Sequence, residues 1–358
     1  MTNMLNGRRL LAGLATGIFL IAIVLTANPR ANDDTKKAEP IAFFLIGDTH
    51  LLANKKDNAK LDERSAALAG QLVNVMNKLA GTEISKAAGG GTVLAPRGVI
   101  HAGDCIDTGD QANVKMQQTE WAAFTQEFGL TGRDGRLKMP IYEVHGNHDS
   151  VRGYGLAIKK IIERNKTRPN VNNVSKNGVH YSWDWGNVHF VNLGIVVGQG
   201  EGSTKKRRYD PLGSLDFLIA DLKDKVGTSG RPVVITHHVD ILRYSAEPVD
   251  EKKAVNMEWD PNDVKAFHDA LKGYNIAAIL YGHTHGRNVF RWDGSAKAAK
   301  TGIPVFNVSK SSHFSSKTQA FFYFEIRGDN LIAREYQTKD GWETGTWAPQ
   351  TWTATSNK

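Results

Sequence analysis

The sequence predicts an α/β fold in which buried β-sheets lie between layers of helices. Short apolar runs of four to six residues recur along the chain, and each one ends abruptly in a polar or glycine-containing turn. Runs of this length are too short for helices and suit buried strands. Segments with helical spacing of apolar residues separate them, and this alternation is typical of layered α/β domains.

Nine segments are predicted to be strands. Five apolar runs form the framework of the sheets: Ile41–Ile46, Gly98–Ala102, Ile141–Val144, Pro232–Ile235 and Ile276–Leu280. Four more strands have less helical sequence between them, so the sheets are expected to be mixed; these are Val179–Trp185, Val188–Gly194, Pro304–Val308 and Phe321–Ile326.

Three helices are predicted from apolar spacing and from capping residues. Leu61–Ala80 places its apolar residues on one face. Ser214 is predicted to be the N-cap of a second helix, because serine is favoured there. Asp260 and Pro261 begin a third helix, which Gly273 ends.

Composition excludes several classes of protein. With 41% apolar residues, the 358-residue chain is neither mainly disordered nor collagen-like. A single cysteine, Cys105, excludes an internal disulfide framework and a cysteine-rich zinc module, and its apolar context predicts a small buried residue rather than a nucleophile. The net charge of +8 favours an anionic partner, while the sequence carries no specific signal for nucleic acid.

The first 27 residues are predicted to be a signal peptide or an N-terminal membrane anchor. Arg8 and Arg9 precede the continuously apolar or small segment Leu10–Ala27, and a polar linker follows over residues 28–40. Because both arginines lie before the apolar segment, we expect the rest of the chain to be exported. It would be periplasmic, secreted, or anchored on the outer side through residues 10–27.

Polar side chains follow the five framework strands directly. The segments after the strands read GDTH, GDCID, GNHD, HH and GHTH, and they contain the candidate site residues Asp48, His50, Asp104, Asp107, Asn147, His148, His237, His238, His283 and His285. Because the carboxyl ends of strands in α/β sheets meet at one crevice, we expect these side chains to lie close together.

The residue types in these segments indicate a metal centre. Oxygen and imidazole ligands without thiolate suit Mn, Fe, Zn or Ni. Seven ligands from among these ten candidates would be too many for one ion and are appropriate for two ions that share a carboxylate. Two ions at a separation of about 3.5–4 Å can hold the attacking and leaving oxygens of a phosphoryl transfer.

Several histidines need separate treatment. His237 and His238 are neighbours on a strand and face opposite ways, so only one of them is expected to bind metal. Buried core positions are predicted for His101 and His145. No role is assigned to four others: His180, His189, His268 and His313.

This ordered set of motifs resembles the calcineurin-like metallophosphoesterase superfamily over residues 41–337. The resemblance implies two mixed sheets sandwiched between helices, as a four-layer domain, with residues 338–358 left as a C-terminal tail. It also implies metal ligands at seven positions, with Asp104 bridging two ions: Asp48, His50 and His285 for the first ion, and Asn147, His237 and His283 for the second.

The resemblance further implies a reaction. His148 would contact or protonate the leaving oxygen, and Asp107 would orient His148. The expected function is hydrolysis of phosphoric monoesters or diesters, with in-line attack by a hydroxide that bridges the metals. Two alternatives stay open: an inactive binding module that keeps the fold, and a binuclear hydrolase of non-phosphate substrates.

Overall fold

Two mixed sheets form the centre of the fold. The computed structural model describes residues 39–199, 208–244, 258–308 and 310–355. In chain order the strands there are β1 (Ile41–Ile46), β2 (Val99–His101), β3 (Ile141–Glu143), β4 (Val171–Val174), β5 (Tyr181–Trp185), β6 (Val188–Asn192), β7 (Val233–Thr236), β8 (Ile276–Tyr281), β9 (Asn288–Trp292), β10 (Ile303–Asn307), β11 (Gln319–Arg327), β12 (Asn330–Thr338) and β13 (Thr346–Thr355).

The helices cover the outer faces of these sheets. They are α1 (Glu63–Leu79), α2 (Val114–Glu127), α3 (Leu156–Asn165), α4 (Ser214–Asp221) and α5 (Pro261–Leu271). The first sheet has the order β13-β12-β11-β1-β2-β3, and the second has the order β4-β5-β6-β7-β8-β10-β9. Parallel pairs join β1 to β2 and β2 to β3, and they also join β6, β7, β8 and β10 in succession.

All nine predicted strands are confirmed, with ends that differ by no more than two residues. The α/β fold with two mixed sheets is confirmed as well.

The apolar core between the sheets is rich in aromatic rings. Phe43 of β1 stacks on Phe324 of β11 at 5.0 Å between ring centroids and meets Phe190 of the other sheet edge-on at 5.4 Å.

Each sheet packs a second apolar layer against its helices. On the first sheet, Phe44 of β1 shares a buried cluster with Leu72 of α1 and Phe124 of α2. On the second sheet, Ile235 of β7 shares a cluster with Leu218 of α4 and Phe267 of α5. Burial on both faces explains why these strands are continuous apolar runs rather than alternating ones.

The C-terminal boundary differs from the prediction. The predicted tail contains a strand of the domain, because β13 (Thr346–Thr355) pairs antiparallel with β12 and extends the first sheet. Trp347 of this strand packs edge-on against Tyr336 at 4.9 Å between ring centroids. Pro349 lies within β13, and an edge strand is where a sheet tolerates proline. Proline and the many polar residues conceal this strand in the sequence.

The predicted helix cap at Ser214 is wrong. The N-cap of α4 is Gly213, which has a left-handed backbone with φ of 72°. Ser214 is instead the first helical residue, and its hydroxyl donates to the Val196 carbonyl and accepts from the Gly198 amide. The predicted start of the third helix is confirmed, since α5 begins at Pro261 and the Asp260 side chain before it accepts from the Asn262 amide at 2.8 Å.

Residues 1–38, which include the predicted targeting segment, lie outside the described residues, so export stays a prediction from the sequence. Within the part of the chain that the structure describes, no helix has the length and apolar character needed to cross a membrane.

A buried ionic cluster fixes the end of β3. The Glu143 carboxylate accepts hydrogen bonds from Arg164 Nε at 2.7 Å and from Arg168 Nη2 at 2.6 Å. Burial alone would raise the pKa of Glu143, but the two guanidinium groups outweigh it and lower the pKa to about 2. The carboxylate is therefore charged and depends on both arginines.

We predict that Arg168→Met lowers the free energy of unfolding by about 3 kcal/mol, because it leaves a buried carboxylate with half of its countercharge. Chemical denaturation would measure this. Lys160→Met is the matched control, because Lys160 forms an exposed pair with Glu163 and its loss should change stability by less than about 0.5 kcal/mol. If both substitutions lowered the free energy of unfolding equally, the buried cluster would contribute no more to stability than an exposed ion pair.

Candidate metal centre

The polar segments predicted from the sequence converge where the two sheets meet. They follow strands of both sheets: His50 follows β1, Asp104 follows β2, Asn147 follows β3, and His283 follows β8. Hydrogen bonds between the segments hold them in place, such as the bond from the Asp48 amide to the Gly103 carbonyl at 3.0 Å. The convergence expected at strand ends is therefore present.

A first cluster contains Asp48, His50, Asp104 and His285, whose potential ligand atoms lie within 4.8 Å of one another. Nε2 of His50 lies 3.2 Å from Nε2 of His285 and 3.4 Å from Oδ2 of Asp104. Nε2 of His285 is also 3.6 Å from Oδ1 of Asp48. Two imidazole nitrogens face each other here, and at most one of them can donate a hydrogen bond to the other.

A second cluster contains Asp104, His238 and His283. Oδ1 of Asn147 joins it, at 3.1 Å from Nε2 of His238 and 2.8 Å from Nδ1 of His283. Nε2 of His238 lies 3.1 Å from Oδ2 of Asp104. This cluster combines two imidazoles, one amide oxygen and one carboxylate.

Asp104 belongs to both clusters, and a single oxygen faces the two of them. Its Oδ2 is near His50 on one side and His238 on the other. The other oxygen, Oδ1, accepts a hydrogen bond from the His148 amide at 2.8 Å. The carboxylate is thus oriented by the backbone, with one oxygen left for the shared position.

The donor set fits metal ions. Imidazole nitrogen, carboxylate oxygen and one amide oxygen, without thiolate, are ligands for first-row transition metals such as Mn, Fe, Zn or Ni. The side chains converge on two adjacent points, and Asp104 lies at both of them. This cluster of histidine and aspartate is consistent with a binuclear metal site.

The outer nitrogens of three histidines are hydrogen-bonded, which sets the nitrogen that each presents to a metal. Nδ1 of His50 donates to Oδ1 of Asp107 at 2.9 Å. Nδ1 of His238 donates to the Ala102 carbonyl at 2.7 Å. Nε2 of His283 lies 3.1 Å from the Glu258 carboxylate. Metal-binding histidines commonly have such partners, which fix the tautomer and the ring orientation.

Glu258 also connects the second cluster to positive charge. Its carboxylate pairs with Arg243 at 2.6 Å and with Arg208 at 3.3 Å, and both guanidinium groups are about half exposed. Arg208 ends the basic segment KKRR, of which residues 205–207 lie outside the described residues. Two partly exposed arginines beside the cluster favour the approach of an anion.

The backbone is strained at the candidate ligands. Eight non-glycine residues in the described part of the chain have positive φ, and five of them belong to the two clusters: Asp48, His50, Asp104, His283 and His285. Their φ values lie between 45° and 71°, a region that non-glycine residues seldom adopt. Strain of this kind collects where side chains must be held in a required direction.

Two motif glycines allow the loops to approach each other. A Cβ at Gly282 would lie 2.6 Å from Oδ2 of Asp48, and a Cβ at Gly146 would overlap the carboxylate of Asp104. A side chain at either position would displace a candidate ligand. The glycines in the GNHD and GHTH segments are therefore explained by close packing.

Burial and neighbouring charges determine the protonation of the cluster. Burial opposes the charged form of His238, but its contact with Asp104 prevails and raises the pKa of His238 to about 9. Burial also raises the pKa of Asp48, to about 7. Protons therefore compensate the carboxylates when no cation is bound. Metal binding must displace them, so the apparent metal affinity should rise with pH.

His148 is beside the first cluster and remains accessible. Its ring meets that of His50 edge-on at 4.6 Å between centroids, and its side chain is 35% exposed. Nδ1 donates to the backbone carbonyl of Asp107 at 2.9 Å, whereas the Asp107 carboxylate is 3.9 Å away and is bonded to His50. In the structure the backbone carbonyl of Asp107 therefore holds His148, whereas the Asp107 carboxylate holds His50.

The structure does not bring His237 to the cluster, which corrects its assignment as a ligand. The ring is buried among Trp259, Phe267 and Tyr281, and neither nitrogen has a hydrogen-bond partner among the described residues. Residues at odd positions of β7, such as Val233 and Ile235, face the helix side, while Val234 faces the other sheet. His237 continues the odd set, and His238 therefore faces Asp104.

Two further groups at the site were missed by the sequence analysis. His313 lies next to the first cluster, with ring centroids 4.4 Å from His50 and 4.7 Å from His285. Its position after β10 is the signal that could have identified it, because β10 runs parallel to β8. Glu258 follows no predicted strand, and the sequence contains no signal for its contact with His283.

The buried residues around the motifs agree with structural roles. Cys105 is fully buried, and burial raises the pKa of its thiol well above the usual value, so it is not an activated thiolate. The Asp149 carboxylate accepts from the amides of Cys105, Ile106 and Gly146, and it joins the GDCID and GNHD segments.

A protein-family model agrees with this geometry. The model for calcineurin-like phosphoesterases matches residues 41–287, which include all the residues of the two clusters. A comparison with the sequences of curated proteins finds no match.

Solved structures share the fold. The chain is similar to a dimetal phosphatase from Danio rerio, with a TM-score of 0.55 and 14% identity, covering 88% of this chain and 99% of that one. It is also similar to a structure of PhoD, with a TM-score of 0.53 and 11% identity, covering 89% of this chain and 70% of that one. These likenesses show the fold.

Metal content can test whether His238, rather than His237, is a ligand. We predict that His238→Ala lowers the bound metal after dialysis, because it removes a donor that faces Asp104 and Asn147. His237→Phe should keep the metal, since the ring lies in an apolar aromatic pocket. Elemental analysis of the two purified variants would measure both. Metal loss in His237→Phe with retention in His238→Ala would contradict the structure.

Proposed function

The chain belongs to the calcineurin-like phosphoesterase family, and we propose that it hydrolyses phosphoric esters with two metal ions held by the clusters around Asp104. The observation that carries this proposal is the shared position of Asp104 Oδ2, which lies within 3.4 Å of an imidazole from each cluster. A single carboxylate oxygen between two donor sets suits a pair of bridged ions.

Two ions, when bound, would supply Lewis acidity toward a phosphoryl group and lower the pKa of a coordinated water. The residues proposed to hold the first ion are Asp48, His50, Asp104 and His285. Those proposed for the second are Asp104, Asn147, His238 and His283. The ions could be Mn, Fe, Zn or Ni, because the donors are oxygen and imidazole nitrogen.

The chain itself would hold the ligands in place before substrate binds. Asp107 and Glu258 accept hydrogen bonds from the outer nitrogens of His50 and His283, and the Ala102 carbonyl accepts from His238. These contacts keep the inner nitrogens directed at the clusters. Positioned groups of this kind lower the reorganisation needed in the transition state.

Anion binding is favoured by the charges near the second cluster. Arg208 and Arg243 lie on the Glu258 carboxylate, and their half-exposed guanidinium groups can attract a phosphate ester. The net charge of +8 agrees with an anionic substrate. The substrate proposed here is therefore an anionic phosphate ester, either a monoester or a diester.

His148 is proposed to act on the leaving group. Its Nδ1–H is fixed by the Asp107 carbonyl, so Nε2 is the atom that can hold a proton for the leaving oxygen. The nearby Asp107 carboxylate attracts a positively charged ring. A hydrolase of amides could use a similar pair of ions, but no observation on this chain favours it.

A panel of substrates would test the function. Metal-loaded protein should release p-nitrophenolate from p-nitrophenyl phosphate or from bis-p-nitrophenyl phosphate, and Asp104→Asn should abolish this activity. An amidase panel and an esterase panel should stay negative. Full metal content without turnover of any phosphate ester would favour an inactive binding module instead.

We predict that His148→Ala retains metal and lowers kcat, because Nδ1 of the ring is bonded to the Asp107 carbonyl and the side chain belongs to neither of the clusters around Asp104. General acid catalysis contributes about 10²–10⁴-fold, and the loss should be larger for alkyl phosphates than for p-nitrophenyl phosphate, whose leaving group needs little protonation.

Asp107→Asn tests whether the Asp107 carboxylate acts on His50 or on His148. Since the Asp107 carboxylate accepts from His50, its substitution should weaken metal binding rather than reproduce the leaving-group dependence of His148→Ala. Equal losses of kcat for good and poor leaving groups in His148→Ala would indicate charge stabilisation and contradict proton donation.

A further inference from the structure

The loop that follows β10 brings His313 to the candidate metal centre. One ring nitrogen of His313 lies within 4.8 Å of ring nitrogens of both His50 and His285. The residue is only 8% exposed, and its ring stacks on Phe314 at 4.5 Å between centroids. The family model ends at residue 287, so this loop lies outside the matched region.

Hydrogen bonds hold this loop against the first metal-binding segment. The Ser311 amide donates to the Gly47 carbonyl at 3.0 Å, and the Ser311 hydroxyl accepts from the Gly47 amide at 3.2 Å. Trp342 Nε1 donates to the Ser311 carbonyl at 2.7 Å. His313 is therefore positioned from the same backbone that precedes Asp48.

The loop also fixes the role of each ring nitrogen. The Ser315 amide donates to Nδ1 of His313 at 3.0 Å, so Nδ1 carries no hydrogen. A neutral imidazole with a bare Nδ1 carries its hydrogen on Nε2. A nitrogen that bears hydrogen has no lone pair for a metal. The ring therefore offers a hydrogen-bond donor beside the cluster rather than an additional ligand.

We propose that His313 forms a phosphoryl-oxygen subsite, in which its Nε2–H donates to a non-bridging oxygen of a phosphate group bound at the first cluster. The inference rests on the proposed function and deepens it, because it names the residue that binds the transferred group. His313 and His148 both pack edge-on against His50. In this proposal His313 binds the phosphoryl oxygen and His148 acts on the leaving oxygen. Inorganic phosphate and other tetrahedral oxyanions should occupy the same subsite.

The test uses metal-loaded full-length protein and inorganic phosphate as the probe, with calorimetry to measure its Kd. His313→Ala should weaken phosphate binding by about 10- to 100-fold, the range expected for a lost hydrogen bond to a charged group. Metal content should not change. His313→Gln retains a side-chain N–H and should recover part of the affinity.

Ser315→Ala is the matched control. It keeps the backbone amide that holds Nδ1, and the Ser315 side chain is exposed, so the variant should bind phosphate like the wild type. Loss of metal in His313→Ala would make the residue a ligand and overturn the inference. Unchanged phosphate affinity in His313→Ala, or no phosphate binding by the metal-loaded wild type, would overturn it as well.

Failure of this inference and failure of the proposed function are distinguishable. If the wild type hydrolyses phosphate esters while His313→Ala binds phosphate as tightly as the wild type, the function stands and the subsite is refuted. If the wild type turns over no ester but its phosphate affinity depends on His313, the subsite stands and the function is refuted. Circular dichroism of the variants would establish that each one is folded.

Discussion

The contact of Asp104 with histidines from both sheets is the interaction on which the site depends. Asp104 follows β2 of the first sheet, whereas His238 follows β7 of the second. Their buried contact at 3.1 Å joins the two sheets at the ends of their parallel strands. Because an unpaired buried carboxylate is strongly unfavourable, this carboxylate needs cations around it, supplied either by protonated histidines or by metal.

The strained backbone at the candidate ligands is held in place by the surrounding structure. Five candidate ligands have left-handed backbone conformations, and two motif glycines let the loops pass close to their carboxylates. Rigid sheets with cores on both faces hold these loops in place. Asp149 adds hydrogen bonds between two of the motif segments, and Ser311 fastens the loop of His313 to the start of the first. Contacts within the protein therefore hold the candidate ligands in place.

The sequence predicted the layered fold and most of the candidate cluster because its signals are local. An apolar run followed by Asp, Asn or His is visible in one stretch of residues, and strand ends in such folds converge. The choice between His237 and His238 was not predictable, since the predicted strand Pro232–Ile235 is apolar at every position and its pattern does not reveal which face meets the other sheet. His313 was missed because its role depends on the direction of β10. The contact between Glu258 and His283 joins distant segments without any shared pattern.

The proposed function requires Asp104 to join two metal ions in one centre. Electron paramagnetic resonance of the protein loaded with Mn(II) tests this directly, because two ions that share a carboxylate oxygen are magnetically coupled and give a multiline signal unlike that of isolated Mn(II). We expect a coupled signal at two ions per chain in the wild type and a signal from isolated ions in Asp104→Asn. A signal from isolated Mn(II) alone in the fully loaded wild type would contradict it.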